Sequence, residues 1–381
     1  MASAAPRCFC KDKVSEKFSD LDAASSIELK KIIETLSVPG KGLLASDESP
    51  MSLNDTFGEI GIENTENSRR EYRQMLFSAY KPELTKYISG IILHHETLYQ
   101  KTTDGINFAE FLQQRNIVPG IKVDQGLINL CGTEEELTTE GLDNLKERCI
   151  QYKREGCYFT KWRCVYSISE TKPSQLLMSV NANTLARYAT ICQRARLVPI
   201  VEPEILTTGE HSIEKALQIH EQVLSILFRA FNEHRVYLEG MILKPAMVLP
   251  GVKNIKKYTP QIVAEYTLKA LQRTVPPAVP TILFLSNGQA TDDDDDHDHD
   301  HDNDNDSILN LNAINMLEGK KPWTLSFCYG RCLQNEVLKT WKGNVANVEA
   351  AHSILLGKAK LCSEASLGKL SIQNVRAKNI Y

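Results

Sequence analysis

Short apolar runs that close on polar or charged side chains recur along the chain. They are GLLASDE (42–48), GIILHHE (90–96), IVPGIKVD (117–124), YFTKWRCV (158–165), LVPIVEPEI (197–205), LEGMILKP (238–245), TILFLSNG (281–288) and WTLSFCYGR (323–331). Each has the length of a buried strand. Between them the apolar residues recur at helical spacing, as in SIEKALQIHEQVLSILFRAF (212–231) and TPQIVAEYTLKALQRT (259–274), the second opening on a threonine cap and a proline. Strands alternating with helices predict an α/β protein, and eight such strands predict one (β/α)8 TIM barrel over residues 1–381.

In that architecture chemistry gathers at the C-terminal ends of the strands. The residues there are Asp47, His94, Lys122, Asp124, Lys161, Arg163, Glu202, Glu204, Lys244, Ser286 and Arg331. Strand ends also carry charges simply because they meet water. Repetition over nearly every strand is what argues for a shared site. In KWR and EPE the charges stand two apart, so each pair faces one side of its strand.

Composition narrows the partners. The apolar runs fall far short of the roughly 20 residues that span a bilayer, and the N-terminal MASAAPRCFCKDKVSEKF turns charged before a signal-peptide core develops. A cytoplasmic protein without a membrane partner is expected. The ten cysteines show neither a disulfide framework nor a paired zinc-binding spacing. The net charge of −4 hides DDDDDHDHDHDNDND (292–306), whose ten aspartates, once set aside, leave +6 for the rest. That surplus suits a small anionic substrate and is too dispersed for nucleic acid. The Asp/His run reads as a solvated acidic insertion, with divalent-metal capture by His297, His299 and His301 as the alternative.

Lysines, arginines and paired glutamates around one mouth suit an anionic substrate and acid/base work. A lysine attacks a carbonyl only as the free amine, which requires desolvation or a neighbouring cation. Lys244, after an apolar run and before a proline, meets that requirement; from spacing alone Lys122 and Lys161 are equal candidates. FLSNGQ and YGR follow the seventh and eighth strands, where barrels commonly hold phosphate.

GKGLLASDES, GIENTENSRREYRQMLF, HETLYQKTTDG, GIKVDQG, KWRCV, NANTLARYA, VPIVEPEIL, YLEGMILKPAMV, RTVPPAVP, LNLNAIN and PWTLSFCYGR, in this order from about residue 20 to 345, resemble the class I fructose-bisphosphate aldolases. The resemblance implies a metal-independent lyase, needing no cofactor, that reversibly splits fructose 1,6-bisphosphate into dihydroxyacetone phosphate and glyceraldehyde 3-phosphate. It implies Lys244 as the Schiff-base lysine, Glu202 as the acid/base of imine formation and Glu204 as its neighbour tuning the charge. Lys122, Lys161 and Arg163 would supply positive charge to substrate oxygens, and Asp47 with Ser49 in ASDES would orient the sugar. Ser286, Asn287, Gly288 and Arg331 match the family's phosphate site, and Tyr381 matches its mobile terminal tyrosine in a tail expected from about 345. A tetramer, of one subunit type or mixed with related subunits, is implied as well.

The chain departs from the family in places. DESPMSLNDTF puts Asp55 and Thr56 where the family has a lysine–arginine pair, Asn287 replaces a loop glycine and Cys328 replaces a serine before YGR. An anion where a phosphate dianion should sit weakens binding. The alternative reading is therefore a divergent paralogue with weak or monophosphate-shifted activity, acting mainly as a binding or structural subunit.

Overall fold

The computed structural model describes residues 21–286 and 300–371. Among the described residues ten strands are present: β1 Gly42–Ser46, β2 Ile88–Leu93, β3 Val118–Lys122, β4 Leu127–Asn129, β5 Leu137–Thr139, β6 Phe159–Tyr166, β7 Val198–Ile205, β8 Ile242–Leu243, β9 Thr281–Phe284 and β10 Thr324–Tyr329. Eight of them close into a parallel barrel in the order β1-β10-β9-β8-β7-β6-β3-β2, as the alternating pattern predicts. The antiparallel β4–β5 hairpin, placed between β3 and β6, was not foreseen. Its strands are only three residues long, and β4 is exposed throughout, so it lacks the apolar run that marks a barrel strand. β8 is also shorter than its sequence segment, because Leu238–Gly240 form a 3-10 turn.

The helices follow from caps and spacing. In Ile213–Glu233 the buried residues Ile213, Ala216, Leu217, Val223, Leu224, Leu227 and Phe231 lie on one face, and the Ser212 side chain accepts from the Lys215 N–H. Pro260–Thr274 begins behind Thr259, whose side chain accepts from the Ile262 N–H. The stretch expected to move from about 345 is helical from Val348 to Ser366, with Ala351, Leu355, Ala359 and Cys362 buried. Residues 372–381, including Tyr381, lie outside the described residues, as do Asn287, Gly288 and residues 292–299 of the Asp/His run.

Two apolar clusters run through the described residues. The larger joins the outer faces of the strands to the surrounding helices. The smaller lies inside the barrel, where Leu43, Ile92, Phe159, Ile200, Ile242 and Leu283 meet Leu29, Ile32, Ile33 and Leu36 of the Ala23–Leu36 helix, which plugs the floor. Gly120 of β3 leaves room for this packing, since a Cβ there would lie 2.2 Å from a ring carbon of Phe159.

Candidate active site

Alternation along β6 and β7 decides which side chains look inward. Phe159 and Ile200 belong to the floor cluster, so Lys161 and Arg163, then Glu202 and Glu204, climb the interior wall above them. Sheet register puts Arg163 beside Glu202 and Lys122 beside Lys161. Lys244 directly follows β8, its N–H donating to the Val201 carbonyl at 2.7 Å, and Asp47 directly follows β1.

These side chains form a continuous run of opposite charges. Glu202 Oε1 lies 2.6 Å from Lys244 Nζ, and Glu202 Oε2 lies 3.0 Å from Lys161 Nζ. Lys161 Nζ also donates to Asp47 Oδ2 at 3.0 Å. All four residues are buried, Glu202 with 2% and Lys244 with 4% of its surface exposed. Burial of unpaired charge on this scale would cost several kcal/mol per group, so the pairing is what makes the arrangement tenable.

The titration of each group reflects that balance. Burial pushes Asp47 upward, but the ammoniums of Lys161, Lys244 and Lys122 outweigh it and hold the carboxyl below its usual range. Glu202 behaves alike, with burial opposed by Lys161, Lys244 and Arg163. For Lys161 burial favours the free amine, yet Asp47 and Glu202 together hold it protonated far above the ordinary lysine value. At rest Glu202 is therefore ionised between two lysines, and its Oε2 accepts no directed hydrogen bond despite the nearby Lys161.

Around this centre stand two further pairs. Arg163 Nε donates to Glu204 Oε2, and Lys122 Nζ lies 2.6 Å from Asp124 Oδ1. Asp124 Oδ2 accepts from the Arg163 N–H at 3.3 Å, tying β3 to β6. Cys328 of β10 points into the floor with 1% of its surface exposed. Burial raises its thiol to about 11 against the pull of Lys244, so it is neutral beside the charges.

The remaining candidates lie at the rim. Ser49 is in the loop after β1, its Oγ 2.7 Å from Ser52 Oγ. Ser286 is the second residue past β9, and Arg331 opens the Arg331–Trp341 helix beyond β10. Asp55 is exposed on the short Leu53–Glu59 helix, and Thr56 is half-buried there.

Sequence reasoning missed the support beneath Asp47. Arg73, with 1% of its surface exposed, donates from Nη1 to Ser46 Oγ at 2.8 Å and from Nη2 to the Glu48 carbonyl at 3.2 Å. Gln334 Nε2 donates to the Ala45 carbonyl at 2.8 Å and to Glu48 Oε1 at 2.7 Å. Both grip the residues flanking Asp47. The signal available was an arginine inside the apolar stripe of Glu66–Phe77, beside Tyr72, Met75 and Leu76.

A buried, ion-paired lysine with a carboxylate within proton-transfer distance, at the mouth of a barrel lined with further cations, is equipped to form an imine with an anionic carbonyl substrate. Comparisons with known proteins point the same way. A family model described as fructose-bisphosphate aldolase class-I matches residues 28–380. The chain is 51% identical over 342 residues to the fructose-bisphosphate aldolase of Echinococcus multilocularis, covering 90% of each chain. It is 49% identical to the cytoplasmic isozyme of Spinacia oleracea, covering 88% of this chain and 89% of that protein. A ternary co-crystal structure of the Plasmodium falciparum aldolase, in complex with TRAP and a small-molecule inhibitor, superposes with a TM-score of 0.86 at 45% identity, covering 92% of this chain and 97% of that one.

Proposed function

The chain belongs to the class-I fructose-bisphosphate aldolase family, and from that premise we propose that Lys244 is the lysine through which it cleaves its sugar. The protein is a carbon–carbon lyase that reversibly splits fructose 1,6-bisphosphate into dihydroxyacetone phosphate and glyceraldehyde 3-phosphate, a glycolytic reaction. The observation that carries the residue assignment is the Glu202 carboxylate held between Lys244 and Lys161 at 2.6 and 3.0 Å.

In this reading Lys244 passes a proton to Glu202 and its free amine adds to the C2 carbonyl of the open-chain ketose. Glu202 returns the proton to the departing hydroxyl, water leaves and a protonated imine remains. The bond from C3 to C4 then breaks as the C4 hydroxyl loses its proton, and the electron pair passes to the imine to give an enamine. Proton return to C3 and hydrolysis release the second product. Lys161, held protonated by Asp47 and Glu202, keeps a positive charge beside the reacting carbon without itself being a nucleophile. The contacts differ as well, since Lys161 meets two carboxylates and Lys244 one, a difference spacing alone did not reveal. Asp47, Glu204 and Ser49 orient hydroxyls and charge, while Lys122 and Arg163 attract the anion. Ser286, Asn287, Gly288 and Arg331 would hold a phosphate, and Tyr381 would deliver the C3 proton, as the family resemblance implies.

Borohydride reduction in the presence of substrate, followed by peptide mapping, tests the assignment. Reduced adduct on Lys244, absent from Lys244→Met together with a fall in cleavage of about 1,000-fold or more, is expected. Adduct at full yield in that variant would overturn it. Exposed Asp55 at the rim favours a second reading, a preference shifted toward monophosphates. Asp55→Lys with Thr56→Arg should then lower KM for the bisphosphate and leave fructose 1-phosphate unchanged.

A tetramer, homomeric or mixed, and a cytoplasmic setting complete the proposal. Support for the setting comes from relatives named as cytoplasmic isozymes and from the lack, among the described residues, of a helix long and apolar enough to cross a membrane.

A further inference from the structure

One polar side chain in the barrel mouth has no role in the reaction above. Ser46 pairs with Leu93 and Leu93 with Ile121, so the next residues along, Asp47, His94 and Lys122, stand abreast at the ends of β1, β2 and β3. Lys122 in turn pairs with Lys161 on β6. The backbone at His94 is still extended, with φ −79° and ψ 155°. Alternation from Ile92, a member of the interior floor, therefore turns the imidazole inward as well. The contact between Asp47 and Lys161 across the interior fixes the side on which this row lies.

The chemistry of the ring is set locally. The Glu96 N–H donates to His94 Nδ1 at 3.2 Å, which makes Nδ1 the acceptor and leaves the ring proton on Nε2. Nε2 has no hydrogen-bond partner among the described residues. Burial, then the charges of Lys122 and Arg73, hold the imidazole down to about 4 against the opposing pull of Asp47 and Glu96, so it is uncharged at physiological pH. A neutral donor between a carboxylate and an ammonium suits a neutral acceptor. Among the oxygens of a sugar phosphate that means a hydroxyl.

We propose that His94 is a substrate-binding residue whose Nε2–H donates to a hydroxyl oxygen of the open-chain sugar phosphate, selecting polyhydroxylated ketose phosphates. This rests on the reading of Lys244 above. A half-buried donor aimed at a hydroxyl disfavours substrates lacking it, because the hydrogen bond is then lost.

The test compares His94→Leu and His94→Ala, which delete the donor, with His94→Gln, which keeps an amide N–H at comparable reach. The measurements are kcat and KM for fructose 1,6-bisphosphate and fructose 1-phosphate. The two deletions should each lose about 10-fold in kcat/KM, by a similar factor for both sugars because their hydroxyls are shared, and glutamine should recover most of the loss. No loss in any variant, an equal loss in all three, or a loss confined to the bisphosphate would each overturn the proposal. Borohydride trapping on the unmodified protein separates the two readings: no adduct there removes Lys244, whereas an adduct with indifferent His94 variants removes only His94.

Discussion

The floor and the mouth of the barrel interior are equally well hidden from water and are held together by opposite means. At the floor, Phe159, Ile200, Ile242 and Leu283 are fully buried and need no partners. A few ångströms along the same strands, Lys161, Glu202, Lys244 and Asp47 are buried almost as deeply and tolerate it only as a run of opposite charges. Removing a floor side chain opens a void, whereas removing a mouth side chain strands a charge. Apolar packing and a charged run are thus stacked on the same strands and can be perturbed separately by mutation.

Phe159→Ala gives the largest change, a loss of about 4 kcal/mol of stability by the usual cost of emptying an aromatic site. Denaturant titration should detect it, while kcat per folded molecule stays near its starting value; a fall in kcat matching the fall in stability would erase the distinction between the two ends. Lys161→Met strikes the mouth. It leaves Asp47 and Glu202 short of a cation, should cost about 3 kcal/mol and should lower kcat about 100-fold. Unaltered kcat would show that Lys161 only neutralises its neighbours.

Acid and alkali are gentler probes. Asp47 and Glu202 have folded values below their ordinary 3.8 and 4.5. Their contribution is present above those ordinary values and disappears as pH falls through the depressed ones. Lys161 has its folded value raised above 10.5, so its contribution is complete below that and is lost as pH rises through the raised value. A stability plateau between about pH 5 and 10 with losses at both edges is expected, and Lys161→Met should flatten both edges. The smallest effect belongs to the boundary. Cys328→Ser puts a hydroxyl into the apolar floor and should cost about 1 to 2 kcal/mol, and Cys328 should alkylate far more slowly at pH 8 than exposed Cys131.

Much of this was legible in the sequence because burial writes itself into composition. The barrel strands appeared as apolar runs, and the charge pairs two apart on β6 and β7 disclosed which residues share a face. What escaped lacked such a mark. β4 and β5 are short and carry no apolar run. Arg73 looks like any helical arginine until Ser46 and Glu48 are found beneath it. Lys161 and Lys244 became distinguishable only when their carboxylate partners were located, because Lys161 contacts two and Lys244 one. The resemblance to a known family favours one of them, and the spatial arrangement shows how their surroundings differ.

The two-residue stride of Lys161 with Arg163 and of Glu202 with Glu204 makes these strands intolerant of any change in length. Deleting one residue low in β6 would swing Trp162 into the lumen and the cations into the helical layer, and in β7 it would exchange both glutamates for their apolar neighbours. A change of length is therefore tolerated far better outside the strands, in connections such as the one between Ser286 and the Asp300–Met316 helix.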